Sequence, residues 1–266
     1  MDYLQAIIIA IVEGITEFLP ISSTGHMIIT ERLLQMDEKD PFTKLFTVAI
    51  QLGAILSVVV LYYKKFFDFA RWQFYLKLFV AVIPALALGF LFSDKIDALL
   101  ESAVTVCVSL ILGGFILLII DKVYNKPRFE EEKEITFKTA FIIGIWQCIA
   151  MIPGVSRSAS SIIGGMQEKL TRTLAAEFSF FLAVPTMAAA TGYKLLQTYT
   201  DHPEILADNN NLMLLGLGNL VAFIVALLAI KFFIGYLQKY GFKIFGWYRI
   251  IVGSILLVLI LTGYLD

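Results

Sequence analysis

Runs of residues poor in charge recur along the chain at 45–63 (LFTVAIQLGAILSVVVLYY), 78–92, 103–120, 178–193, 212–230 and 250–263. About 20 apolar residues cross the hydrocarbon of a bilayer as a helix, and the shorter runs need only a few flanking residues to do so. The pattern predicts six spanning helices. Only about 121–138 and 195–211 could stand outside the membrane at length, and neither is long enough to hold a core of its own. An active site is therefore expected within the membrane segments.

The distribution of Lys and Arg predicts orientation. The 64–72 loop carries Lys64, Lys65 and Arg71; the 231–249 loop carries Lys231, Lys239, Lys243 and Arg249 without an acid; 195–211 has no Lys or Arg. The basic loops are expected on the cytoplasmic side, together with the mixed 121–138 loop. Residue 45, residues 93–101, residues 195–211 and the C-terminus then fall outside.

Two further regions, about 1–44 and 136–173, are apolar but begin and end on one side under this threading. Each is interrupted near its middle, by Pro20, Ser22, Ser23, Thr24 and Gly25 in the first and by Pro153, Gly154, Ser156 and Ser158 in the second. Irregular backbone at membrane depth is tolerated only where protein or a wet cavity surrounds it, so both are predicted to be re-entrant helix pairs. They also resemble each other. Laying EGITEFLPIS (13–22) on QCIAMIPGVS (147–156) pairs Glu13 with Gln147, Ile15 with Ile149 and Ser22 with Ser156, and IIIAIV at 7–12 matches FIIGIW at 141–146. One pair enters from each side, as an inverted-topology repeat requires. The expected architecture is one all-α integral membrane domain over 1–266: a first repeat, 1–121, with the pair 1–44, and a second, 136–266, with the pair 136–173.

Composition agrees: 59% of residues are apolar and 16% charged, and the mean hydropathy is +0.81. The formal net charge of −1 offers no basic excess for a nucleic-acid partner. Cys107 and Cys148 sit in apolar context without metal-ligand spacing, which points to packing. No basic region precedes the first apolar run, which Glu13 and Glu17 interrupt, so that segment is expected to stay in the mature protein.

The chemistry gathers at the two breaks. Glu13 and Glu17 are four residues apart and share one helix face, where burying two like charges demands a cationic neighbour. The alternative is a helix end among headgroups with two solvated acids. Ser22, Ser23, Thr24 and Gly25 form a helix start that can accept an anionic oxygen. His26 follows; carboxylates beside it would favour its protonated form and suit a general acid or base, and the alternative is a packing residue. Arg157, flanked by Ser156 and Ser158, offers the donor fork that fits phosphate, or else a structural ion pair with Glu13 or Glu17. Phosphoryl transfer needs neutralised oxygens, an oriented nucleophile and a proton donor, which this set supplies. Two carboxylates facing a diphosphate require more positive charge than Arg157, which implies a divalent metal, Mg2+ or Ca2+, at Glu13 and Glu17.

EGITEFLPISSTGHM at 13–27 and PGVSRS at 153–158 resemble the two signature motifs of bacterial undecaprenyl-diphosphatases of the bacitracin-resistance type. Length, hydropathy and motif positions match that family end to end. The second motif departs at Ala159 and Ser161, where glycine and threonine are common. The resemblance implies hydrolysis of undecaprenyl diphosphate to the monophosphate and inorganic phosphate, recycling the carrier lipid for peptidoglycan synthesis and conferring bacitracin resistance. It also implies a multi-pass protein of the bacterial cytoplasmic (inner) membrane with its active site open to the outer face, and it puts Glu13, Glu17, Ser23, His26 and Arg157 on residues that the family uses. The competing class is a transporter or flippase of polyprenyl phosphate lipids, because inverted repeats with broken helices mark transporters. A purely structural membrane subunit would not account for the buried charge. A homodimer is compatible with the sequence.

Overall fold

Helices α1 (Tyr3–Thr16) and α2 (Ser23–Leu33) precede the long α3 (Pro41–Leu61); the short α4 (Tyr63–Phe66) leads into α5 (Trp72–Leu100) and α6 (Ala103–Val123). The order then repeats in outline: α7 (Phe137–Cys148) and α8 (Arg157–Gln167), the long α9 (Arg172–Asp201), the short α10 (Pro203–Ala207), and α11 (Asn209–Tyr240) with α12 (Lys243–Leu261). This is a computed structural model; it describes residues 1–37, 40–100 and 102–263, with only the backbone of 93–100. Among the described residues the sole strand-like feature is an isolated bridge between Phe129 and Leu170.

Local chemistry sets the helix starts. Asp2 and Gln5 form a reciprocal capping box on α1. Asp40 accepts from the Thr43 N–H at 2.8 Å, and Pro41 stands in the first turn of α3, where a missing N–H costs nothing. Ser102, Thr136 and Thr171 cap α6, α7 and α9 in the same way.

Six of these helices are long and apolar enough to cross a membrane, among the described residues: Pro41–Leu61, Phe69–Phe92, Ala103–Val123, Arg172–Asp201, Asn209–Tyr240 and Lys243–Leu261. They correspond one for one to the six predicted runs, and the chain is a multi-pass membrane protein. Their outward faces expose Leu112, Leu228 and Ile255, as side chains against lipid would. Lipid offers no hydrophobic drive between helices, so close approach depends on small residues. Where α6 meets α12, a Cβ on Gly114 would lie 2.8 Å from the Gly246 carbonyl oxygen, and one on Gly246 would lie 2.9 Å from that of Gly114.

The connections are shorter than the charge pattern implied. Lys231 and Lys239 belong to α11, while Lys243 and Arg249 belong to α12, so the expected 231–249 loop reduces to Gly241 and Phe242. Most of the expected 195–211 loop is likewise helical. A helix that outruns the hydrocarbon carries its terminal charges into the interface without ending, so charge marks the interface and not the helix end. Within the 93–101 loop the backbone continues α5 to Leu100 beyond non-helical dihedrals at Phe92, and Glu101 lies outside the described residues.

The two short pairs sit within this bundle. α1 packs on α11, α7 on α5, and α8 on α9. Phe18, between α1 and α2, is fully buried and meets Phe180 of α9 edge to face at 5.3 Å, which pins the first break to the core.

Candidate active site

Each break ends in a serine with unusual backbone. Ser22 has φ 71 and ψ 97, Ser156 has φ 77 and ψ 115, and each is the N-cap of the 11-residue helix that follows. Their hydroxyl oxygens accept from the Gly25 and Ala159 N–H groups, both at 3.3 Å. Positive φ is strained for a residue with a side chain and persists only where the surroundings enforce it. Gly154, with φ +86, has no room for anything but glycine, since a Cβ would stand 2.5 Å from the Val106 carbonyl oxygen on α6.

These turns bring together residues 140 positions apart. Glu17, 6% exposed, accepts from Arg157 Nη2 at 2.8 Å through Oε1 and from the Ser23 hydroxyl at 2.6 Å through Oε2. Arg157 Nη1 also donates to the Ser179 carbonyl at 3.0 Å, and the guanidinium lies 6.0 Å from the centre of the Phe18 ring. Ser158 joins the breaks by a second route, donating to the Leu19 carbonyl at 2.9 Å. A cavity of about 160 Å³ opens between them; its walls include Glu17, Ser22, Ser23 and Thr24 from the first break and Gly154, Ser156 and Arg157 from the second. A carboxylate, a guanidinium, hydroxyls and two helix N-termini thus converge on one polar space inside an apolar bundle. Such an arrangement can hold an oxyanion and orient a hydroxyl beside a base.

The other residues singled out in the sequence stand off this space. Glu13 is fully buried against the Glu17 carboxylate, and neither of its oxygens accepts from an N–H or hydroxyl donor among the described residues. Gly25 packs under Val106, and Ser158 is fully buried. His26 was expected against the two acids; instead its Nδ1 lies 2.7 Å from the Ser22 carbonyl oxygen and its Nε2 2.8 Å from the Tyr248 hydroxyl. A carbonyl only accepts, so Nδ1 carries a proton, and in the neutral ring Nε2 accepts from Tyr248. The His26 and Tyr248 rings are also nearly parallel, 9° apart.

Sequence reasoning missed Tyr248 and misassigned its neighbour. Arg249, expected in a cytoplasmic loop, is a fully buried residue of α12 whose guanidinium donates to five carbonyls. Two lie on α6, Ser109 at 3.0 Å and Leu110 at 3.3 Å; the others are Pro20 of the first break and Gly154 and Val155 of the second, at 3.1, 2.7 and 3.0 Å. It ties both breaks to α6. Gly113 leaves the space for it, since a Cβ there would meet Nη2 at 2.2 Å. The signal that singled out Arg157, an arginine in apolar sequence, was present in GWYRIIVGS too, but nearby lysines made it read as loop.

Among the described residues no group of three or more His, Cys, Asp or Glu gathers as a metal site. The acids present still suit a divalent cation. Glu13 brings two buried oxygens without a donor next to a second carboxylate, and Mg2+ is commonly held by one or two carboxylates with water and substrate phosphate completing the shell.

The family profile described as bacitracin resistance protein BacA matches residues 6–255. The chain is 61% identical over 259 residues to the undecaprenyl-diphosphatase of Flavobacterium psychrophilum, covering 97% of this chain and 96% of that one. It is 60% identical over 260 residues to that of Flavobacterium johnsoniae, with the same coverage. With undecaprenyl-diphosphatase 1 of Clostridioides difficile the identity is 40% over 267 residues, again 97% and 96% of the two chains. The profile spans nearly the whole chain and takes in both breaks, so this protein belongs to the bacitracin resistance protein BacA family.

Proposed function

We propose that this protein hydrolyses undecaprenyl diphosphate to undecaprenyl phosphate and inorganic phosphate. The observation that carries the reading is Glu17, bonded at once to the Ser23 hydroxyl and to Arg157 at the wall of a polar cavity. The relatives, undecaprenyl-diphosphatases, supply the substrate. Arg157 holds non-bridging phosphoryl oxygens, assisted by N–H groups at the starts of α2 and α8. Ser23 is the nucleophile, because its proton already has a carboxylate acceptor. Its oxygen bonds to the terminal phosphorus, the bridging P–O bond breaks toward the lipid phosphate, and the serine proton passes through Glu17 to that leaving group. Water then cleaves the phosphoserine, returning a proton to Ser23 and releasing inorganic phosphate. Glu13 and Glu17 would hold a divalent cation, Mg2+ or Ca2+, which when bound neutralises charge on the diphosphate. Ser22, Thr24, Gly25, Ser156 and Ser158 build and line the phosphate pocket; His26 acts as a positioning residue through the Ser22 carbonyl.

The two halves form an inverted-topology repeat, 1–121 and 136–266, in which α1–α2 and α7–α8 are re-entrant. Matching backbone at Ser22 and Ser156, matching caps, and the reciprocal packing of α1 on α11 and α7 on α5 support this. The basic segment before α5 (Lys64, Lys65 and Arg71) and the basic end of α11 face the cytoplasm of a bacterial inner membrane and the cavity opens outward, where a lipid diphosphate can enter sideways with its tail still in the bilayer.

Purified protein given undecaprenyl diphosphate and Mg2+ should release inorganic phosphate, and Ser23→Ala should abolish that release. No release from the wild type, with lipid movement across vesicles retained, would turn the reading to a flippase. Labelled terminal phosphate that never appears on Ser23 during turnover would exclude the phosphoserine step while leaving hydrolysis intact.

A further inference from the structure

Gln51 is the eleventh residue of the 21-residue α3 and so stands at the middle of a membrane span. A carboxamide there is costly unless hydrogen-bonded. The other short polar side chains of α3 all have partners: Thr43 bonds Asp40, Thr47 bonds Glu31 and the Thr43 carbonyl, and Ser57 bonds the Ala54 carbonyl. Gln51 has none among the described residues, and it lines the cavity that Glu17, Ser23 and Arg157 share.

The backbone carrying it is fixed on both sides. Three residues before, the Val48 carbonyl accepts from the fully buried Thr191 of α9 at 3.2 Å. Two residues after, the Gly53 N–H donates to Asn219 of α11 at 2.8 Å, and the helices are so close that a Cβ on Gly53 would lie 2.1 Å from the Asn219 carbonyl oxygen. Gln51 is half-buried, so an amide without a protein partner, on a backbone held by two neighbouring helices, is open to a ligand in that cavity.

We propose that Gln51 is a substrate-contacting residue whose amide N–H2 donates to a non-bridging phosphoryl oxygen of the lipid diphosphate. This rests on the hydrolytic reading above. The assignment follows from charge. Glu17 only accepts, and a cavity that must hold an anion beside a carboxylate needs donors; an amide supplies one without adding a charge that would have to be buried in every unliganded molecule.

The test compares wild type with Gln51→Leu, Gln51→Glu and Gln51→Asn in phosphate release, in binding of a polyprenyl methylenediphosphonate that cannot be hydrolysed, and in thermal unfolding. Gln51→Leu removes the donors at similar volume and should leave the unfolding temperature unchanged or higher. It should lower kcat/KM on the order of tenfold to a hundredfold and weaken analogue binding by a similar factor. Gln51→Glu should lose more than Gln51→Leu, because it adds a negative charge facing the phosphates. Gln51→Asn, which keeps the amide, should fold as the wild type does and lose less than Gln51→Leu. Wild-type kcat/KM and analogue affinity in Gln51→Leu would overturn the proposal, as would losses in all three variants that follow their unfolding temperatures. A wild type that binds the analogue but releases no phosphate would instead overturn the hydrolytic reading, and the analogue affinities would still decide the contact at Gln51.

Discussion

Glu17 and Arg157, 140 residues apart in the chain, meet at 2.8 Å with their side chains 4% and 13% exposed. The pair does not use up the bonding capacity of either residue. Glu17 spends its other oxygen on the Ser23 hydroxyl, and Arg157 keeps one nitrogen, Nε, buried without a partner among the described residues. A pair made only for stability would close all its donors, since one left open in a buried site costs free energy.

Arg157→Lys should therefore fail almost as badly as Arg157→Ala. Lysine preserves charge but cannot bond Glu17, the Ser179 carbonyl and a phosphoryl oxygen in one plane. We expect kcat/KM to fall on the order of tenfold to a thousandfold, or about 1.4–4 kcal/mol of transition-state stabilisation. Steady-state phosphate release measures it, and full activity in Arg157→Lys would reduce the arginine to a counter-ion.

Glu13 makes a different prediction. Its orphaned oxygens beside Glu17 suit a shared cation, so Glu13→Gln should raise the Mg2+ concentration needed for half-maximal turnover at least several-fold while the protein stays monodisperse. A Mg2+ titration that superimposes on the wild type would take Glu13 out of the cation site.

Removing Arg249 should be structural in origin and catalytic in consequence. Arg249→Met strands the carbonyls of Pro20, Gly154 and Val155 in the breaks that form the cavity, while Ser109 and Leu110 keep the helical bonding of α6, for a loss on the order of 3–5 kcal/mol. The unfolding temperature in detergent should drop and activity should vanish. Gly113→Ala should produce a milder form of both defects, because the added methyl displaces the guanidinium. An Arg249→Met protein as stable as the wild type would show that α12 does not hold the breaks.

Much of this was legible in the residues themselves. Six spans could be read because a bilayer imposes a length and a polarity on any helix that crosses it, and the breaks because proline, glycine and serine runs are conspicuous inside apolar sequence. Glu17 and Arg157 stood out because charge inside apolar sequence is expensive to bury without a partner. What only the tertiary structure decided were partners. Whether His26 faced acids or Tyr248, whether Ser158 faced the cavity or the Leu19 carbonyl, and whether Arg249 lay in a loop or at the centre depend on packing between helices far apart in sequence. Composition constrains each helix separately through its contact with lipid, whereas a hydrogen bond between helices depends on rotation and depth, which hydropathy does not encode.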